Sequence, residues 1–292
     1  MRRLKITKNK EQKFVEKVLL PLSLGSSFAR NLTDDVAEID GLIIKTDSLC
    51  EGVHVKTATN PYKMGHKLIA RAISDIASKG GFPLGFTLSL FKTPKTDEAF
   101  LTDFIFGMKN FDIPLIGGDI ANSFNTHFNA NISLFAKKNS YIPHRNGAKV
   151  GDFIYITGQI GRAYLGFKNE QEFLSFYETP VPKLSLMQKV ISNFEITASI
   201  DISDGFMKDL MTLLENSNTG ASIDLLKINM PKKNDIAKML TFGDDYEIIF
   251  TSPQEINLED VSKIGNVISG DELLFLNAEN IEFSSFGYEV LI

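Results

Sequence analysis

At 292 residues the chain is long enough for two domains or one large one. With 43% hydrophobic and 23% charged residues, it has the composition of a globular protein that buries a sizeable core. A net charge of −5 argues against a general nucleic-acid binder, since no basic excess is left to neutralise a phosphate backbone. The single cysteine, Cys50, excludes an intrachain disulfide. The charged start (Arg2, Arg3, Lys5, Lys8, Lys10) interrupts any signal peptide or membrane span, so a cytoplasmic chain without a membrane partner is expected.

Strand-like and helix-like apolar spacings alternate along the chain, which predicts an α/β or α+β architecture. Gly41 to Thr46 reads as a strand delivering Thr46-Asp47, and Pro61 to Gly80 as a helix stopped by Gly80-Gly81 and Pro83. In that helix Leu68, Ala72 and Ile76 recur every four residues, and Asp75 falls on or beside the same face. Such a carboxylate either pairs with Arg71 or Lys79, each four residues away, or serves a site. Phe86 to Phe91 reads as a strand, Asp97 to Asn110 as helical, Ile113 to Ile116 as a brief buried strand and Asn129 to Ala136 as another. Tyr141 to Ala148 gathers Pro143, Asn146 and Gly147 and reads as a linker, dividing residues 1–140 from 141–292. The second half opens with a strand, Phe153 to Thr157, then Gly158 and Gly161 before a helix. A further amphipathic helix carries Phe206, Leu210, Leu213 and Leu214 on one stripe, with Ser203 or Asp204 as its cap.

Six acidic motifs sit at the edges of these apolar runs: Asp34-Asp35, Thr46-Asp47, Ser74-Asp75, Gly117-Gly118-Asp119, Asp201-Ile202-Ser203-Asp204-Gly205 and Gly243-Asp244-Asp245-Tyr246-Glu247. Each alone is a cap or a turn, but together they suggest separate segments bringing carboxylates to one place. Two bare carboxylates about 4 Å apart repel by roughly 4 kcal/mol at an effective dielectric of 20, so such a cluster calls for cations. Oxygen ligands without a Cys or His cluster favour Mg²⁺, and a magnesium site usually handles phosphates. Backbone N–H groups at the start of the helix after Gly205 are a further place for a phosphate. The GxGxxG, P-loop, HRD, DFG, GxSxG and HExxH motifs are all missing from the sequence, so phosphoryl transfer here would rest on carboxylate-held metals.

In order and spacing these motifs resemble the thiamine-monophosphate kinase family, a branch of the superfamily that includes aminoimidazole ribonucleotide synthetase and selenophosphate synthetase. The resemblance is carried by the segments 45–54, 73–77, 115–119, 200–205 and 240–247, with 150–158 similar to the start of that family's second domain. It implies a two-domain aminoimidazole ribonucleotide synthetase-like fold. An N-terminal ATP-binding, dimerising domain (1–140) would be closed by a C-terminal α/β domain (141–292). It also implies transfer of the γ-phosphate of ATP to thiamine monophosphate. By similarity, Asp35, Thr46, Asp47, Asp75, Asp119, Asp201 and Asp204 would hold several Mg²⁺ ions. Gly118, Asp119, Arg145 and Ser203 would touch ATP, and His54, Asp244 and Tyr288 would touch thiamine monophosphate. The acceptor is already an ionised phosphate, so no dedicated general base is expected.

The chain departs from the family pattern at several positions. Lys45 replaces a small hydroxyl residue that helps hold one metal, Asn31-Leu32-Thr33 replaces a glycine-containing turn, and Asp244 stands where Glu is typical. Two other readings therefore stay open: an ATP-dependent enzyme of the same superfamily with another acceptor, and a non-catalytic nucleotide-binding paralogue.

Overall fold

Two sheets and the long helix between them organise the chain. The computed structural model describes residues 1–124, 126–232 and 234–289. The first half contains β1 (Arg2–Lys5), α1 (Lys10–Phe14), β2 (Ala37–Ile39), β3 (Leu42–Cys50), α2 (Pro61–Ser78), β4 (Phe82–Lys92), α3 (Glu98–Met108), β5 (Leu115–Asn122) and β6 (Asn129–Lys137). The second contains β7 (Phe153–Thr157), α4 (Arg162–Phe167), α5 (Leu174–Glu178), α6 (Leu184–Asn193), β8 (Ala198–Asp201) and α7 (Phe206–Asn216). It continues with β9 (Gly220–Asp224), α8 (Ile236–Thr241), β10 (Ile248–Ser252), β11 (Val261–Ile268) and β12 (Glu272–Leu276).

The first sheet has the order β2-β3-β6-β4-β5 and is antiparallel except for the β4–β5 pair, which α3 connects. Period-two alternation turns Ile43, Leu49, Leu88, Ile132 and Leu134 to one face, where they pack against Leu68, Ala72 and Ile76 of α2 and Phe104 of α3. Cross-strand partners share a face, so the opposite face carries the row Thr46, Ser133, Thr87 and the row Ser48, Asn131, Ser89, Asp119. Thr46 and Asp119 are exposed there.

The second sheet has the order β1-β12-β9-β11-β7-β10-β8, with β12–β9 its one parallel pair among the described residues. Leu210, Leu213 and Leu214 of α7 pack with Ile156, Ile200 and Ile249, while Met187, Val190 and Ile191 of α6 pack with Tyr155, Ile248 and Phe250. The strand β1 opens the chain yet pairs with β12, far from the first sheet.

Several elements differ from the sequence-based expectations. The strand β3 runs on to Cys50 because its pairing with β6 continues to Asn129, so Thr46-Asp47 lies inside the strand rather than at its end. Gly117-Gly118-Asp119 is likewise part of β5 and not a turn. A Cβ on Gly118 would come 2.1 Å from the Leu88 carbonyl oxygen, so the glycine lets the two strands approach. The helix α7 is capped by neither Ser203 nor Asp204. Instead the Asp209 carboxylate reaches back to accept the N–H groups of Asp204 and Gly205 at 3.0 and 3.1 Å, leaving those two donors unavailable to a phosphate. Arg30, Asn31 and Leu32 all have positive φ, so the segment ahead of Asp34-Asp35 adopts left-handed backbone without any glycine.

Candidate functional site

The helix α2 joins the two halves. Its apolar stripe covers the first sheet, while Ser74 donates to Asp201 at 2.7 Å and Lys79 donates to the Ser199 carbonyl at 2.7 Å, both on β8. Between the halves lies a cavity of about 1030 Å³, at the upper end of the roughly 300–1,000 Å³ typical of small-molecule sites. Its walls include Asp47, His54, Asp75, Arg145, Asp201, Ser203, Asp204, Asp244 and Tyr288. Nine of the residues singled out in the sequence thus share one cavity.

At the floor, one carboxylate oxygen each from Asp35, Asp75 and Asp201 lies within 4.8 Å of the others. Asp35 is held by Arg145 and by Lys79 at 2.8 Å, while Asp34 takes Lys79 at 2.9 Å and His144. Burial pushes the Asp35 carboxyl up, but Arg145 and Lys79 outweigh it and hold it low. Asp75 pairs with Lys45 at 2.8 Å and not with Arg71 or Lys79, the partners its helix spacing offered. The reason is direction: Arg71 reaches Asp47 at 3.0 Å, and Lys79 points to Asp34 and Asp35. Burial and the neighbouring Asp201 and Asp35 push Asp75 well above the usual carboxylate range, with Lys45 working against them. Asp201 is pushed up to about 7 by burial and by Asp35 and Asp209. Asp201 has 1% exposure, and its Oδ1 has no hydrogen-bond partner.

Behind another part of the wall, Lys67 donates to Asp244 at 2.8 Å and Tyr246 donates to the same carboxylate at 2.6 Å. Arg71 donates to the Tyr246 hydroxyl at 3.2 Å while holding Asp47. Lys67 and Arg71 hold Asp244 low against its burial. This loop is stitched to the β8–α7 turn by Asp244 N to the Ser203 carbonyl and Tyr246 N to the Ile202 carbonyl, each 2.9 Å. Gly243 is required there, because a Cβ would lie 2.2 Å from the Ser203 oxygen. His54 Nδ1 accepts the Cys50 N–H at 2.9 Å, which leaves Nε2 to carry the proton of the neutral ring, and burial with Arg71 nearby depresses its pKa to about 4. Val53, Phe167, Tyr177 and Phe242 supply apolar wall. Lys208 joins Asp204 at 2.6 Å to the Tyr288 carbonyl at 2.6 Å.

Thr46, Gly118 and Asp119 lie away from this wall. The Thr46 hydroxyl meets Ser133 at 2.9 Å on the outer face of the first sheet. Asp119 sits on the same face, three strands from β3 and so about 14 Å across the sheet at the usual strand spacing. Lys67, Arg71, Lys79 and Tyr246 were not singled out as site residues. The signal for two of them was available, since Lys67, Arg71 and Asp75 recur at four-residue spacing on one helix stripe.

The profile of the AIR synthase related protein, N-terminal domain, matches residues 33–136. The thiamine-monophosphate kinase of Leptospira interrogans is 31% identical over 286 residues, covering 88% of this chain and 92% of the relative. The chain belongs to the thiamine-monophosphate kinase family. A second member, from Buchnera aphidicola, is 31% identical over 265 residues, covering 77% of this chain and 80% of its own. The fold agrees: the solved structure of AaThiL complexed with AMPPCP and TMP superposes with a TM-score of 0.82 at 24% identity, over 97% of this chain and 99% of the other. The mixed helix and strand architecture is thus that of the thiamine-monophosphate kinase family.

Proposed function

We propose that the chain transfers the γ-phosphate of ATP to thiamine monophosphate, giving thiamine diphosphate and ADP. The observation that carries the reading is a single cavity joining Asp75 and Asp201, which converge with the fully buried Asp35, to a wall carrying His54 and Asp244, in a chain of this family. The acidic floor suits the triphosphate end of ATP. The wall, with Phe167, Tyr177 and Phe242, suits a flat cationic heterocycle, because aromatic faces attract cations.

The floor fits Mg²⁺: three carboxylate oxygens converge, and the Asp201 Oδ1 is buried without a donor. Asp35, Asp47, Asp75, Asp201 and Asp204 would hold such ions, with Arg145 and Ser203 beside the nucleotide. When bound, Mg²⁺ screens phosphate charge and favours an in-line displacement. An oxygen of the acceptor phosphate bonds to the γ-phosphorus as the β–γ bridging bond breaks, and ADP leaves with the electron pair. That oxygen is already ionised, so the protein supplies position and charge rather than a base. Arg71 bridges Asp47 to Tyr246 and so ties the nucleotide floor to the acceptor wall.

We place the boundary of the two domains near residue 140, the strand β1 being donated to the second sheet. A homodimer completes the reading. The edge strand β5 exposes Leu115, Ile116 and Ile120 at 55%, 61% and 66%, and a second copy would cover these side chains and the hydroxyl-rich outer face. Such a partner would bring its own Thr46, Gly118 and Asp119 toward a nucleotide. None of the helices among the described residues is long and apolar enough to cross a membrane, and the cytoplasm is the compartment we propose.

The test is direct. Purified protein with ATP, Mg²⁺ and thiamine monophosphate should form thiamine diphosphate and ADP, and EDTA should stop it. Bound ATP with no thiamine diphosphate formed would overturn the acceptor.

A further inference from the structure

Of the three carboxylates that converge at the floor, Asp35 and Asp75 each form an ion pair with a cation of the chain, and Asp201 forms none among the described residues. Asp35 has Lys79 and Arg145, Asp47 has Arg71, and Asp75 has Lys45, whereas Asp201 has only the neutral Ser74 hydroxyl. Lys45 differs from the others in origin. It comes from β3, on the same face as Asp47 two residues on, and its side chain is 21% exposed at the cavity wall. Its ammonium binds Asp75 at 2.8 Å, inside the group of residues that brings Asp35, Asp75 and Asp201 within 4.8 Å. A primary ammonium has three donors, and the one hydrogen bond that the structure gives Lys45 Nζ takes a single one of them.

We propose that Lys45 is a tethered cation that takes one divalent-ion position in the carboxylate floor, so that this chain works with one fewer metal ion, and that its free donors face the phosphates of the nucleotide. The inference rests on the proposed nucleotide site. Its physical basis is charge balance. Asp75 lies with Asp35 and Asp201 in a space where bare carboxylates repel, and a compact positive charge on β3 neutralises it without any dissolved ion. The Asp201 Oδ1, 1% exposed as a residue and without a donor, marks the remaining position for a metal. A lysine held this way contributes one charge where a divalent ion contributes two, and Asp201 stays without an ion pair among the described residues, so a metal can still be recruited beside it.

Counting ions tests this without reference to turnover. Mn²⁺ bound per subunit is titrated by electron paramagnetic resonance in the presence of the ATP analogue AMPPCP. Lys45→Ser, which removes the ammonium and leaves room and a hydroxyl, should bind one more Mn²⁺ per subunit than the native chain, and Lys45→Arg should match the native count. Equal counts in the native chain and Lys45→Ser would overturn the proposal. In EDTA, Lys45→Ser should melt about 5–10 °C below the native chain and recover on adding Mn²⁺. A variant that stays destabilised at saturating Mn²⁺ would show a packing role instead. The ion count is unchanged by whether thiamine monophosphate is the acceptor, so the two readings fail separately.

Discussion

Lys67 and Asp244, 177 residues apart, form an ion pair of 2.8 Å in which the lysine side chain has no exposed surface. The ammonium also lies 3.8 Å from the centre of the Tyr177 ring. The pair ties the middle of α2 to the loop before β10, and so fixes the distance between the two sides of the cavity. Complete burial disfavours the lysine charge, and the pair stands because Asp244 answers it. Asp244 keeps the Tyr246 hydroxyl and Arg71 as partners, so Lys67→Met should cost about 1–3 kcal/mol, less than the roughly 3–5 kcal/mol of a buried charge left wholly unpaired. Urea denaturation of the two proteins checks this, and a loss below about 1 kcal/mol would mean that water reaches Asp244.

Asp47→Asn keeps volume and removes the charge that Arg71 and a metal would share. Turnover should fall at least about 100-fold at saturating Mg²⁺, in the range lost with other transition-state electrostatic contacts, while the far-UV circular dichroism stays native. An unchanged rate would take Asp47 out of the reaction.

His54 should give the fold an acid sensitivity. Its pKa is lowered to about 4 by burial and Arg71, against about 6.5 for a free imidazole. The unfolded chain thus takes up a proton that the folded chain refuses. This contribution is complete above about pH 6.5 and is lost as pH falls toward 4. His54→Asn offers an oxygen in place of Nδ1 for the Cys50 N–H and does not titrate. Denaturant midpoints at pH 7 and pH 5 should differ less for the variant than for the native chain; the same difference in both would assign the acid loss elsewhere.

The exposed edge of the first sheet yields a test of the dimer. If the proposed homodimer forms through this edge, the native chain should scatter light as a dimer and Ile120→Glu as a monomer, since a charge on that strand opposes apolar pairing. If the partner's Asp119 completes each site, Asp47→Asn and Asp119→Asn chains, each inactive, should regain activity when mixed. One kind of mixed site then carries both native carboxylates. Mixtures as inactive as the parents would leave Asp119 without a role in trans.

Period and punctuation made much of the fold legible. The α2 helix, the strand Phe153–Thr157 and the α7 stripe stand where apolar spacing put them. Strand ends were harder, because the continuation of β3 to Cys50 depends on a partner 79 or more residues away and not on local composition. The convergence of Asp47, Asp75 and Asp201 was anticipated from motif order. Their cations were not, for a helix offers Asp75 two neighbours by spacing while the tertiary structure delivers Lys45 from a strand. The capping of α7 was misread for a similar reason: Asp209 sits inside the helix and bends back, whereas a sequence pattern credits the residue ahead of it.

The pairing of β1 with β12 bears on how the chain comes to be folded. Residues 2–5 are made well before their partners at 272–275. The segment between β1 and the first sheet carries Lys8, Glu11, Gln12 and Val15 over the cavity. That wall stays untethered at one end until β12 is available to pair. Long-range pairing of this kind is slow to form. The pairing that completes this edge of the second sheet is thus also the one that anchors the cover of the acidic floor.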